Sequence, residues 1–83
     1  MDIIHDKKNQ RFYVVIDDLE CFVKYTMTQD TLDVYSTYVP KALGGRGIAA
    51  TLVKEAYDYA DSLGLYPLGT CSYAAIWLKR NRE

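Results

Sequence analysis

The apolar pattern of this 83-residue chain changes its period once, at Pro40, and that change limits the folds open to it. Before Pro40, three runs alternate apolar and polar side chains, which is typical of strands with one buried face. Short polar turns at Asp17-Asp18 and Gln29-Asp30 separate the runs, so the pattern predicts an antiparallel meander. The predicted strands are RFYVVI (11–16), ECFVKYTMT (20–28) and TLDVYSTYV (31–39), with residues 2–5 as a candidate edge strand.

The alternation also predicts which side chains share a face of the sheet. In the first run, Phe12, Val14 and Ile16 lie on one side. Cys21 begins the apolar side of the second run and is expected in the core. In the third run, strict alternation places Leu32, Val34, Ser36 and Tyr38 on one face, opposite Asp33, Tyr35, Thr37 and Val39.

After Pro40, apolar residues recur at steps of four from Ile48 to Ala60, with polar residues on the opposite side. This spacing predicts an amphipathic helix over residues 46–63, ended by Gly64. The segment LYPLGT (65–70) predicts a short strand, and YAAIWLKRN (73–81) predicts a second helix capped by Ser72. The expected fold class is therefore α+β, a meander followed by helix, strand and helix, in one domain over residues 1–83.

The composition argues against several classes of function. The formal net charge is −1 and charges of both signs are interspersed, which is atypical of nucleic-acid binding. Two cysteines and one histidine are too few for a metal centre, so no metal is expected. No run approaches the roughly 18 apolar residues of a membrane span, and a cytoplasmic protein is expected. Eight tyrosines suit a small sheet with thin covering layers, a wide cleft or a subunit interface, so monomer and homodimer both stay open.

Three glycines within four residues, GGRG at 44–47, precede the predicted helix. Glycine costs conformational entropy and packs nothing, so such a cluster indicates that the backbone itself is needed. A tight turn is one explanation. The other is a diphosphate site, in which bare amides at a helix N-terminus bind the anion and an arginine adds charge. The sequence fits neither a P-loop nor a dinucleotide fingerprint. The predicted ligand-binding residues are Gly44, Gly45, Arg46, Gly47, Ile48 and Ala49.

Two stretches resemble one known family. VPKALGGRGIAATLV resembles the acyl-CoA binding motif of the GNAT superfamily of N-acetyltransferases, with Gly47 and Ala49 in its last two places. Gly44 departs from the motif, because the family usually has Arg or Gln there. PLGTCSYAAIWLKRN resembles the end of a compact single-domain subgroup with a Cys-Ser after the fifth strand. Together the resemblance covers roughly residues 30–82.

The resemblance implies a mixed sheet splayed between its fourth and fifth strands, with acyl-CoA in the opening. The pantetheine arm of acyl-CoA would lie along Thr37, Tyr38 and Val39. The separation of the two strands leaves the backbone groups of these residues without hydrogen-bond partners. The implied function is transfer of an acetyl group from acetyl-CoA to a primary amine by direct attack. Two alternatives stay open: a CoA-binding module with little catalytic activity, and a small interaction protein that dimerises through its tyrosine-rich sheet.

Two residues are candidates for the chemistry. Cys71 lies between a strand end and a helix start, where amide dipoles can lower a thiol pKa. It could act as an acid, a thiol partner or a transient acyl acceptor, or it could be a small core residue. Tyr73 could give a proton to the departing thiolate. For the base, Asp33 and Glu20 are weaker candidates than a water relay, and Arg80, Arg82 and Lys41 are secondary candidates for the CoA 3′-phosphate.

Overall fold

A computed structural model describes residues 1–82. The chain forms one five-stranded sheet in the order β1-β2-β3-β4-β5. Strands β1 to β4 pair with one another in antiparallel fashion, and β5 pairs with β4 in parallel. This α+β arrangement confirms the predicted meander, helix, strand and helix. The elements are β1 (Ile4–Asp6), β2 (Arg11–Ile16), β3 (Leu19–Met27), β4 (Thr31–Tyr38), a 3-10 turn (Lys41–Leu43), α1 (Ile48–Ser62), β5 (Tyr66–Gly69) and α2 (Ser72–Arg82).

Helix α1 covers one face of the sheet and closes the core. Burial follows the predicted alternation through most of β2 and β3, although Ile16 at the end of β2 is only partly buried and Met27 at the end of β3 is exposed. Cys21 is completely buried, which confirms its prediction as a core residue. The buried residues of the sheet are Phe12, Val14, Cys21, Val23, Tyr25, Leu32 and Val34, and those of α1 are Ile48, Leu52, Val53, Ala56, Tyr57 and Ala60.

The predicted alternation is wrong in the second half of β4. The pairing register between β3 and β4 shifts by one residue, from Tyr25↔Val34 to Lys24↔Ser36, and leaves Tyr35 without a partner. Such a β-bulge inverts the faces beyond it. Thr37, which pairs with the buried Val23, therefore lies on the α1 side of the sheet.

The first residues of both helices differ from the prediction. Helix α1 starts at Ile48 rather than 46, because Gly47 has a φ of 75° and cannot be part of the helix. Its end agrees, since Gly64 has a φ of 69° and Leu65 donates its amide to the carbonyl of Ala60 at 2.9 Å. In α2, Ser72 is the first helical residue rather than the cap.

The sheet separates between β4 and β5, as expected. The two strands pair from Thr31↔Tyr66 to Val34↔Gly69, and a last bond joins the amide of Cys71 to the carbonyl of Val34 at 3.1 Å. Beyond this point β4 continues to Tyr38 without a strand on its β5 side, while the chain turns away into α2. A wedge-shaped opening results. Among residues 1–82, no helix has the length and apolar character needed to span a bilayer.

Candidate functional site

The glycine loop lies at the wide end of this opening. The buried side chain of Leu43 anchors the 3-10 turn that precedes it. Gly45 and Gly47 then adopt φ values of 80° and 75°, a region in which other residues are strained. A Cβ on either residue would meet no atom within 4 Å, so the surroundings are open. These two glycines are thus required by the backbone path, and they also leave the first turn of α1 bare.

The amides of this turn are available to an acceptor. The first hydrogen bond of α1 runs from the amide of Thr51 to the carbonyl of Gly47, at 3.1 Å. The amides of residues 48–50 precede it and have no acceptor within the helix. No acidic residue lies in the first turn to occupy them. The N-terminal end of α1 therefore keeps its partial positive charge for an anion.

A cavity of about 250 Å³ lies against these amides. It is formed by the end of β4, the glycine loop, the first turn of α1 and the first turn of α2. The structure thus brings together two candidate sets that are far apart in sequence, the loop and Tyr73. The lining residues are Val39, Leu43, Gly44, Gly45, Gly47, Ile48, Ala49 and Tyr73.

Arg46 does not line this cavity. Its guanidinium lies 3.6 Å from the carboxylate of Asp17, which belongs to the turn between β2 and β3. Both side chains are more than half exposed, so the ion pair contributes little to stability. The positive charge at the cavity comes instead from the helix terminus.

The free edge of β4 leads from the cavity toward Cys71. Val39 lines the cavity, and Thr37 lies two residues earlier on the same strand. Tyr38 between them points to the opposite face, where its ring packs on Phe22 with centroids 5.5 Å apart. Of the three predicted edge residues, Thr37 and Val39 therefore share the helix side of the sheet, and Tyr38 offers its backbone alone to the opening.

Cys71 lies where β5 leaves β4. Its Sγ is 3.5 Å from Oγ1 of Thr37. Burial alone would raise the pKa of this thiol, but hydrogen bonds from the Thr37 hydroxyl and from the backbone amides of Ala74, Tyr73 and Thr37 outweigh it and lower the pKa. The Cys71 carbonyl accepts from the amide of Ala75, at 2.9 Å, so Cys71 holds the capping position of α2.

The two carboxylates considered as bases are engaged elsewhere. Asp33 accepts hydrogen bonds from the amide of Thr70, at 2.8 Å, and from its hydroxyl. These bonds fix the chain that leads from β5 to Cys71. Glu20 pairs with Arg11 on the neighbouring strand. Both carboxylates therefore have structural roles in this conformation.

The sequence did not reveal the contact between Thr37 and Cys71. It depends on the bulge at Tyr35, because without that extra residue Thr37 would point to the other face. No glycine or proline marks the bulge in the sequence. The role of Asp33 in holding Thr70 was equally hidden, since it needs the parallel register of β4 and β5.

Comparisons with known proteins agree with this geometry. The sequence model of the family described as GCN5-related N-acetyl-transferase matches residues 11–83. Proteins named NATD1 from Xenopus tropicalis and Danio rerio are 34% and 32% identical to this chain over 80 residues, covering 93% of it and 73% of each relative. The NATD1 protein of Homo sapiens is 31% identical over 80 residues, covering 93% of this chain and 71% of its own.

Proposed function

The chain belongs to the family of GCN5-related N-acetyltransferases, and from this premise we propose that it transfers an acetyl group from acetyl-CoA to a primary amine. The nitrogen of the neutral amine attacks the thioester carbonyl directly. A carbon–nitrogen bond forms and the carbon–sulfur bond breaks. The nitrogen loses a proton, and the departing CoA thiolate gains one. The protein contributes mainly by holding both reactants in line.

The observation on which this proposal rests is the continuity between the amide-lined cavity and the free edge of β4. The amides of residues 48–50 suit the diphosphate, because they are bare and belong to a helix terminus without acidic residues. Gly45 and Gly47 leave room for it, as no Cβ closes the approach. Arg46 would have to leave Asp17 to reach the same anion, so its contribution is secondary.

The edge of β4 suits the pantetheine arm. The two amide groups of the pantetheine arm need hydrogen-bond partners. The backbone from Ser36 to Val39 can supply them, because no strand pairs with it on the β5 side. From Val39 back to Ser36 this free edge spans about 10 Å. A flexible chain of a dozen single bonds has an extended length of about 15 Å, enough to follow the whole free edge from the cavity. The thioester would thus lie near Thr37 and Cys71, where the strands part.

Cys71 is the first candidate for proton transfer to the departing thiolate. It lies at the end of the edge and its thiol pKa is lowered by its hydrogen bonds, so it exchanges protons closer to neutral pH than a free thiol. Tyr73, whose side chain is 40% exposed, is the second candidate acid. With Asp33 and Glu20 both bonded elsewhere, the proton lost by the amine passes to water.

Separate measurements of binding and turnover test the proposal. Calorimetry with CoA should show binding, and acetyl-CoA with a panel of small amines should yield free thiol. Replacing Cys71 by Ala should lower turnover at least tenfold with unchanged CoA affinity; Cys21→Ala is unsuitable as a control because Cys21 is fully buried. Ser72→Ala, one residue further along α2, is the matched control and should leave both quantities unchanged. Absence of CoA binding would refute the proposal.

One observation favours a second function, a CoA-binding module with little catalysis. The described residues offer no unengaged carboxylate or imidazole beside Cys71, since His5 is bonded to the hydroxyl of Tyr25 at 2.6 Å. CoA binding without turnover on any amine would select this alternative. The dimerising interaction protein stays open through the exposed Val15, Tyr35 and Tyr38, and analytical ultracentrifugation tests it.

A further inference from the structure

One face of the sheet has no helix packed on it. Helix α1 closes the core on one side of the sheet. Gly69 pairs with the buried Val34 and, on that same side, directly faces the backbone of α2. Both helices described within residues 1–82 therefore lie on one side. We call the opposite side the bare face; it consists of the side chains that alternate with the core residues of β1 to β4.

An apolar row crosses the bare face. Ile4 pairs with Tyr13, and Tyr13 pairs with Phe22. Phe22 in turn pairs with Tyr38, with ring centroids 5.5 Å apart, so four large side chains from neighbouring strands lie side by side. Ile4, Tyr38 and Val15, which follows Tyr13 by two residues on β2, are 51%, 50% and 56% exposed. A continuous apolar patch of this kind indicates a surface that a partner covers.

The charges beside this row balance one another. Arg11 lies 3.7 Å from the carboxylate of Asp6 and also forms an ion pair with Glu20. Lys24 places its ammonium 5.1 Å from the centre of the Phe22 ring, and it joins no ion pair within the part of the chain that the structure describes. Two positive and two negative groups leave this face without net charge, which disfavours a nucleic acid or another strongly charged partner.

The charges on β3 are arranged so that the bare face complements itself. Glu20 precedes Phe22 by two residues and Lys24 follows it by two, so each charge lies about 7 Å to one side of the apolar row. A two-fold axis along the row would bring the row of a second copy onto the row of the first. Each Glu20 would then face the Lys24 of the other copy. A symmetric interface of this type forms such a pair twice.

The size of the bare face matches that of a dimer interface. The molecule measures 36 × 28 × 18 Å, and its shortest dimension corresponds to one sheet with one layer of helices. A face of 36 by 28 Å offers roughly 800 Å² to a partner, and stable interfaces bury about 800 Å² on each side. Two sheets can pack face to face about 10 Å apart with their strands nearly aligned. A second copy therefore fits this face in area, charge and shape.

We infer that two copies of this chain pack through their bare faces, with Phe22 near the two-fold axis and Glu20 of each copy beside Lys24 of the other. The cavity at the glycine loop lies on the other side of the sheet, where both helices are. The dimer therefore leaves that cavity accessible. The inference does not depend on the proposed function, because self-association and acetyl-CoA binding use opposite sides of the sheet.

Charge reversal tests the inference by sedimentation equilibrium. The unmodified protein should form a dimer of twice 9.5 kDa at micromolar concentration, as interfaces of this area allow. Glu20→Lys and Lys24→Glu each bring like charges together twice, so each should raise the dissociation constant about tenfold or more. The two variants should associate when they are mixed, because opposite charges then meet at both pairs. The double variant should dimerise like the unmodified protein for the same reason.

Two control variants make the same charge reversals on the helix side. Glu55→Lys on α1 and Lys79→Glu on α2 change exposed side chains and should leave the dimer unchanged. Circular dichroism and thermal unfolding verify that each variant is folded. Where a single variant does not fold, the unmodified protein and the double variant decide.

Three results would overturn the inference. They are a monomeric unmodified protein, single variants that dimerise as tightly as it does, and folded single variants that do not associate on mixing. A monomer would assign the bare face to a different partner. Each of these results leaves the acetyltransferase proposal intact, whereas a dimer that does not bind CoA would refute that proposal alone.

Discussion

Gly69 lies at the closest contact between β5 and α2, and replacing it tests how tightly the second helix is held. A Cβ at this position would lie 2.7 Å from the amide nitrogen of Ala75 and 2.9 Å from the carbonyl carbon of Ala74. Both are backbone atoms of α2, so no side-chain rotation relieves the clash. The helix would have to move outward by about 0.8 Å to restore ordinary contact distances.

The expected loss of stability follows from two opposing effects. Overpacking of this kind costs about 1–3 kcal/mol. The alanine restricts the unfolded chain and returns about 0.4–1 kcal/mol. Gly69→Ala should therefore lower the free energy of unfolding by about 1–2 kcal/mol. In a domain of this size, that loss lowers the midpoint of thermal unfolding by roughly 4–16 °C.

Gly64 supplies a control with a different physical cause. Its φ is 69° and a Cβ there would meet no atom within 4 Å, so Gly64→Ala suffers from backbone strain alone, about 1 kcal/mol. Asparagine tolerates this conformation better than alanine, so Gly64→Asn should be the milder change. At Gly69 the order should reverse, because asparagine is larger. Urea unfolding of all four variants provides the measurement. A Gly69→Ala protein as stable as the unmodified one, or a milder Gly69→Asn, would refute the overpacking argument.

Three further predictions concern single hydrogen-bonded side chains. Burial, aided by a nearby lysine charge, lowers the pKa of His5, so the unfolded chain takes up a proton at higher pH than the folded one. Unfolding at several pH values should show stability falling as the pH drops below about 6.5. His5→Gln should weaken that fall, and equal slopes would contradict it. Tyr57→Phe removes a hydroxyl that donates to the carbonyl of Leu68 at 2.7 Å, and should lower the free energy of unfolding in urea by about 1–2 kcal/mol. A decrease below about 0.5 kcal/mol would contradict a stabilising role of this hydrogen bond. Thr37→Val should shift the pH profile of Cys71 alkylation to higher pH, because the hydroxyl helps to lower the thiol pKa; an unshifted profile would contradict that role.

The sequence determined much of the glycine loop, because the features of this loop are local. Gly45 and Gly47 have positive φ values, which glycine adopts without strain. The backbone amides next to them belong to the helix that begins at the following residue. The residues assigned to this loop do line one cavity, with the exception of Arg46. Whether CoA binds there is what the calorimetry decides.

The period of the apolar pattern determined the architecture by itself. Alternation up to Pro40 is compatible only with strands that bury one face, and the later steps of four only with a helix, so the order of elements followed from local preference. Pairing across the sheet was decided by tertiary structure. The bulge at Tyr35 arises from the register that β3 imposes on β4, and it turns Thr37 toward Cys71. Arg46 meets Asp17 only because the sheet brings a distant turn beside the loop. Such contacts join residues that are far apart in the chain. A register shift of one residue moves the side chains to the other face of the sheet, so no local pattern encodes these contacts.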